Sequence, residues 1–210
     1  MPKVGMEPIR RLQILRAAAK VIARKGFQGT TLADVAKAAK VSTGMINHYY
    51  ANKLAMLVDA LVHVSEGFQA RNRKAMDLAP TARAKLRAMI EVGLGGRSPE
   101  EKQGHRIWIM AIAESLTAPA LNRVIVERRR LFREQLAQML AEVAAEAGIA
   151  DVDATALAEE CDGYINGLAV MAFATDQLTL SLDHVEESLM ALVEARRGRS
   201  GQPGRDQAGT

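Results

Sequence analysis

Residues 31–53 read TLADVAKAAKVSTGMINHYYANK. Leu32, Val35, Ala36 and Ala39 recur at helical steps, so they form the inner face of a short helix that Thr30 and Thr31 can cap. Lys40–Val41 make a tight turn, with Val41 as its buried pivot. Ser42 then caps a second short helix, whose buried positions are expected at Met45, Ile46 and Tyr50. This second helix carries Ser42, Thr43, Asn47, His48, Tyr49 and Tyr50. A core helix has no use for so many polar and aromatic tips. A helix laid in a DNA major groove does, because base edges offer donors and acceptors and phosphates flank them.

Charge follows the same division. The chain of 210 residues has a formal charge of only +4. Residues 1–53 nevertheless hold Lys3, Arg10, Arg11, Arg16, Lys20, Arg24, Lys25, Lys37, Lys40 and Lys53 against Glu7 and Asp34 alone. The remainder is acidic on balance. Basic residues gathered in one segment neutralise phosphates and release counterions, giving affinity that does not depend on sequence.

Working outward, Pro8 can open a first helix with Ile9, Leu12, Leu15, Ala19 and Ile22 inward. Gly26 ends it and Phe27 packs behind it. Asn52 caps a long fourth helix to about Met76, with Leu54, Leu57, Leu61, Val64 and Phe68 inward. Ala79–Pro80 breaks it. A fifth helix buries Leu86, Met89, Ile90 and Val92 and stops at Gly95–Gly96. Residues 97–103 read as a loop or frayed start. A sixth, RIWIMAIAESL, is apolar over most of its circumference and should be buried. The seventh runs from Pro119 to about Glu146, with the charges from Glu127 to Glu134 on its exposed side. Gly148 ends it, and Asp151 and Asp153 lead into an eighth helix containing CDGYINGLAVMAFAT. Leu182 to Ala195 forms a ninth. The tail from Gly198 lacks apolar periodicity and should be disordered.

Abundant Ala, Leu and Met beside 4% aromatics favour helices over strands. The expected fold is all-α. A three-helix helix-turn-helix DNA-binding domain (1–53) precedes a larger helical ligand-binding and dimerisation domain (54–197) and a tail (198–210). The single Cys161 cannot form an internal disulfide and reads as a small core residue. No apolar run reaches bilayer length, and the opening MPKVGMEPIRR lacks a signal-peptide core, so a cytoplasmic address is expected with no membrane partner. His48, His63, His105 and His184 have no metal-ligand spacing, and there is no phosphate-cradling glycine loop or nucleophile motif. Neither an enzyme nor a metal or cofactor is expected. A purely structural helical adaptor would explain the apolar helices but leave the polar third helix without a reason.

The capped second helix, the turn at Val41–Ser42, the pair Tyr49–Tyr50 and Lys53 opening the fourth helix resemble the TetR family of one-component repressors. The start MPKVGM…IRR and the run STGMINHYY are most similar to its choline-responsive, BetI-like subfamily. Trp108, Pro119, Leu121, Arg123 and Ile165–Gly167–Leu168 continue that pattern more weakly. The resemblance implies a homodimer on a palindromic double-stranded DNA operator, released by a small-molecule effector; an activator of the same build is the alternative. Asn47 departs from the Tyr that many members carry there.

On this reading Thr43, Gly44, Asn47 and His48 are candidates for base edges, and Tyr49, Lys53 and the Thr31 hydroxyl for phosphates, with Ser42 at the helix start. Asn47 can pair bidentately with adenine. His48 has a second reading, a partly buried ring packed on the first helix. Pro2 and Lys3 are either a minor-groove arm or a disordered tip. The resemblance also implies a pocket, for which Met89, Trp108, Ala111, Ile112, Ser115, Tyr164 and Gly167 are the candidate lining. Trp108 reads equally as core. Choline-responsive relatives carry rings at positions matching Ala111, Ile112 and Ala169, and a quaternary ammonium needs ring faces. The cage is therefore incomplete, and an apolar or amphipathic effector is expected. Glu114 needs a partner if buried: a cationic ligand, or an Arg such as Arg128. Gly163, Gly167, Ala169, Ala172 and Ala174 would let eighth and ninth helices pack closely across a dimer axis.

Overall fold

A computed structural model describes residues 7–95, 98–175 and 180–196. The expected arm at Pro2 and Lys3, the stop at Gly96 and the tail from Gly198 lie outside the described residues. Among the described residues the fold is nine helices and no strand: α1 (Glu7–Gly29), α2 (Leu32–Ala39), α3 (Thr43–Tyr49), α4 (Lys53–Asp77), α5 (Ala82–Gly95), α6 (Pro99–Ser115), α7 (Pro119–Glu146), α8 (Ala154–Thr175) and α9 (Leu182–Glu194).

The helix ends follow local chemistry. Gly26 has φ 73°, so helical geometry breaks there and one further turn follows to Gly29. Only glycine takes that conformation without strain. The freed Gly26 carbonyl accepts from Thr30 Oγ1 at 2.6 Å, and Thr30 is fully buried. Thr31 caps α2 in a reciprocal box with Asp34, and Ser42 and Asn52 cap α3 and α4. Lys40 ends α2 in the left-handed region with φ 55°.

Two apolar cores result. The first joins α1, α2, α3 and the N-terminal half of α4 to Ile107, Ala111, Leu121 and Ile125 of α6 and α7. The second joins α5, the C-terminal half of α7, α8 and α9 around Leu86, Leu136, Leu140, Leu157 and Leu189. Ile46 is α3's fully buried anchor in the first core; burying a side chain of that size contributes about 1.5–3 kcal/mol. Helix α4 spans both environments. Met56, Leu57, Ala60 and Leu61 sit in the first core, and Met76 packs on the second.

Several expected positions differ. Ile9 (58% exposed) is not inward, because the core along α1 begins at Ile14. Met45 and Leu54 are also exposed, since α3 and the start of α4 are held through Ile46, Tyr50, Met56 and Leu57 instead. Val41 is half-buried rather than buried. Helix α6 starts at Pro99, so residues 99–103 are a capped helical start rather than a loop or a frayed one. Ser98 and Glu101 close a capping box there, with Pro99 in the first turn. The same helix is half-buried through much of its length, because one side faces a cavity.

Candidate nucleic-acid interface and central cavity

Helix α3 is anchored by one side and bare on the other. Ile46 and Tyr50 are buried, while Thr43, Gly44, Asn47 and His48 are exposed. Steps of one, three and one residue put these four on adjoining strips of a single surface. A methyl group added at Gly44 would meet only Ser42 Oγ, at 3.8 Å. Packing within the chain therefore does not demand glycine there; close approach by something outside would. The His48 ring is exposed and stands edge-on to Tyr49 at 5.3 Å, so it does not pack into the core.

The flanking candidates are partly engaged already. Ser42 Oγ accepts from Met45 N at 3.1 Å. Thr31 Oγ1 accepts from Asp34 N and donates to Asp34 Oδ2 at 2.7 Å. Lys25 Nζ lies 2.6 Å from Asp34, and these partners hold its carboxyl down at about 2. Tyr49 is half-buried. Lys53 opens α4, and its Nζ donates to the Gln28 carbonyl at 2.8 Å. Lys53 thus ties the start of α4 to the end of α1.

A second tie fixes α3 to α1 and α4. Asp59 Oδ2 accepts from Tyr50 Oη at 3.0 Å, from Arg11 Nε at 3.0 Å and from Arg11 Nη2 at 2.7 Å. Burial raises the Tyr50 hydroxyl to about 12, so it is a neutral donor. A third tie reaches α6: Gln28 Nε2 donates to Glu114. Glu114 is only half-buried, and Gln28, not Arg128, is its partner.

Between the two cores lies a cavity of about 530 Å³, bounded by α4, α6, α7 and α8. Val64, Phe68, Trp108, Leu131 and Phe132 give it apolar and aromatic wall. Arg71, Arg73, Arg128, Arg129, Glu134 and Asp162 give it charge, and Asn72, His105 and Asn166 add polar groups. Asp162 is almost fully buried and lies 2.6 Å from Arg129 Nη2. Burial pushes its carboxyl up, against the pull of that arginine. His105 Nδ1 donates to the Glu101 carbonyl at 2.9 Å and its ring stacks on Phe173. Burial lowers its basicity and favours the neutral ring.

Of the seven lining candidates read from the sequence, the structure places Trp108 on this wall. Met89 lies in the second core and Ala111 in the first. Ile112 packs on the first core, Tyr164 on the second, and Ser115 Oγ donates to the Ile112 carbonyl. Gly167 is exposed. Phe68, Arg71, Asn72, His105, Arg128, Arg129, Phe132 and Asp162 were not anticipated on the wall. Their signal is spacing: Arg128, Phe132 and Gln135 recur at four and three residues on α7, and Asp162 and Asn166 at four on α8. The charges from Glu127 to Glu134 therefore do not share one solvated side. Glu127, Arg130 and Glu134 pair outside, while Arg128 and Arg129 turn to the cavity. Cys161 is fully buried, and burial raises its thiol to about 12.

Helix α8 leaves one apolar face uncovered. Gly163 and Gly167 have nothing within 4 Å of where a Cβ would stand. Val170 and Met171 on the following turn are 38% and 61% exposed. Ala172 is buried.

Comparison with known proteins agrees with this layout. Residues 14–60 match the family described as bacterial regulatory proteins, tetR family. Residues 82–198 match the BetI-type transcriptional repressor C-terminal domain. The HTH-type transcriptional regulator BetI of Pseudomonas aeruginosa is 31% identical over 199 residues, covering 90% of this chain and 98% of that one. Its counterpart in Paraburkholderia phymatum is 34% identical over 145 residues, covering 68% and 74%. A solved transcriptional regulator from Pseudomonas aeruginosa superposes with TM-score 0.76 at 26% identity, covering 93% and 95%. One from Saccharomonospora viridis, solved in complex with choline, has TM-score 0.76 at 22% identity, covering 89% and 96%.

Proposed function

The chain belongs to the TetR family of bacterial regulators, with a BetI-type C-terminal domain, and from that premise we propose that it is a homodimeric repressor whose operator grip is released by a small molecule in the central cavity. The observation that carries the reading is α3 itself. Its apolar side is locked into the first core, and Thr43, Gly44, Asn47 and His48 are bare. These four read base edges. Tyr49, Lys53 and Thr31 hold phosphates, Lys53 from the first turn of α4, where the helix dipole also favours an anion. The N-terminal unit (1–53) is the DNA-binding part, and 54–197 the effector and dimerisation part. A cytoplasmic address goes with that role. Among the described residues no helix is long and apolar enough to cross a membrane.

The uncovered face of α8 supports a two-fold dimer built on that helix, with Met171 and Val170 in the seam. Helix α4 is the connector. Its C-terminal half walls the cavity, and its N-terminal end carries Lys53 and Asp59, which are tied to Gln28, Tyr50 and Arg11. A ligand that fits the cavity better when α4 is displaced moves the two reading helices off their common spacing. It must bind that state more tightly, or nothing shifts.

The test is a gel-shift titration with the DNA flanking the chain's own gene. Replacing Tyr49 and Lys53 together by Ala should weaken binding severely while the fold survives. Undiminished binding would refute the assignment.

A further inference from the structure

The lining of the cavity is unbalanced in charge. Arg71, Arg73, Arg128 and Arg129 face Glu134 and Asp162. Both carboxylates are already committed. Asp162 is bound by Arg129 at 2.6 Å and also accepts from Asn166, and Glu134 turns outward to Arg130 at 2.5 Å. The remaining arginines are poorly served. Among the described residues, Arg128's one hydrogen bond goes to the neutral Gln69 Oε1 at 3.3 Å, and Glu66 stands off at 3.8 Å. Arg71 Nε is buried with no acceptor in hydrogen-bonding distance; Glu101 is 3.7 Å away. A guanidinium whose nearest carboxylate stands beyond hydrogen-bonding distance keeps N–H donors for a closer anion. Beside these groups run the apolar faces of Phe68, Trp108 and Phe132.

We propose that the cavity takes an amphipathic monoanion. Arg128 holds its carboxylate, Arg71 adds field of the same sign, and Phe68, Trp108 and Phe132 cover its aromatic or aliphatic body. This rests on the reading of the cavity as the effector site. Ring faces are present, at positions other than those matching Ala111, Ile112 and Ala169. What opposes a cation is Arg128, which Glu66 at 3.8 Å balances only loosely and which repels like charge in the cavity. A volume of about 530 Å³ suits a molecule of drug-like size.

The test uses the full chain and three probes with one body: 4-phenylbutyrate, its amide and 4-phenylbutylamine, with choline beside them, followed by calorimetry. The carboxylate should bind at least about tenfold more tightly than the amine, the margin expected of a charge-assisted pair. Arg128→Gln should erase that margin by weakening the carboxylate far more than the amide, and Arg128→Lys should restore part of it. Gln135→Trp, which fills the cavity from α7, should abolish all binding, with Trp108→Ala as a second variant should the first not fold. Amine or choline binding as tightly as the carboxylate, yet lost in Gln135→Trp, overturns the head-group inference and leaves the cavity reading intact. Binding indifferent to both cavity variants, or no binding by any probe, overturns the cavity reading and this inference with it.

Discussion

Replacing Asp59 should loosen α3 from α1 and α4 at one stroke. Its Oδ2 serves Tyr50 and both donors of Arg11, but the two partners are unequal. Tyr50 is 6% exposed, so its hydroxyl has little water to turn to. Arg11's side chain is 56% exposed and regains solvent freely. Tyr50→Phe removes a hydrogen bond to a charged acceptor while leaving Asp59 paired, at about 1.5 kcal/mol. Arg11→Ala removes an exposed ion pair, at about 0.5 kcal/mol. Asp59→Ala removes both and strands the buried hydroxyl, at about 2–3 kcal/mol. Urea unfolding at fixed protomer concentration measures all three, since the proposed dimerisation would make apparent stability concentration-dependent. Repeating the titrations at about 1 M salt should shrink the Arg11 contribution and spare the Tyr50 one, because salt screens exposed pairs. An Arg11→Ala cost equal to that of Asp59→Ala, or a neutral Tyr50→Phe, would refute the claim that burial ranks these bonds.

Ser42→Ala should cost about 1 kcal/mol by uncapping α3; Ser42→Asp should keep the cap yet weaken DNA binding in gel shifts, through repulsion of phosphate. Asp34 titrates near 2 in the fold against 3.8 unperturbed. Its folded value is depressed, so its stabilisation is complete above 3.8 and lost as pH falls toward 2. Acid titration followed by circular dichroism should therefore show less loss of stability over that window in Asp34→Asn than in the wild type. Gln28→Leu keeps the carbonyl that holds Lys53 and breaks the side-chain tie to Glu114. Operator affinity should persist, and an effector should shift it less than in the wild type, as read by titrations with and without 4-phenylbutyrate.

The N-terminal unit was legible because its punctuation is local. Thr31, Ser42, Asn52 and Gly26 act within a few residues of themselves, and each lies where its chemistry requires. The same logic applies at Ser98-Pro99-Glu100-Glu101, a capping box with proline in the first turn, whose polar composition nevertheless resembles a loop or a frayed start. Exposed Met45 and Leu54 show the limit of periodicity. The short α3 needs only Ile46 and Tyr50 to hold it, which leaves Met45 free, and the start of α4 is held by Met56 and Leu57, which leaves Leu54 outside. The cavity was least legible. It is assembled from four helices, and Arg128 and Arg129 look like surface charge until α4 and α8 are set beside them. Trp108 is reached through the family resemblance, since by itself it reads equally as core. Phe68 was assigned to an inward face, and what that face lines is a space that only tertiary packing creates.

On the proposed function, α3 reads operator DNA as one half of a symmetric pair. Selection of bound duplexes from a random pool by the full chain, followed by sequencing, tests it directly. The expected result is an enriched palindrome whose half-site centres lie about one turn, roughly 34 Å, apart or a multiple of that. Asn47→Ala should relax preference at a defined base pair in each half. Recovery of no enriched motif, or of a motif that Asn47→Ala and Thr43→Ala leave unchanged, would contradict that function.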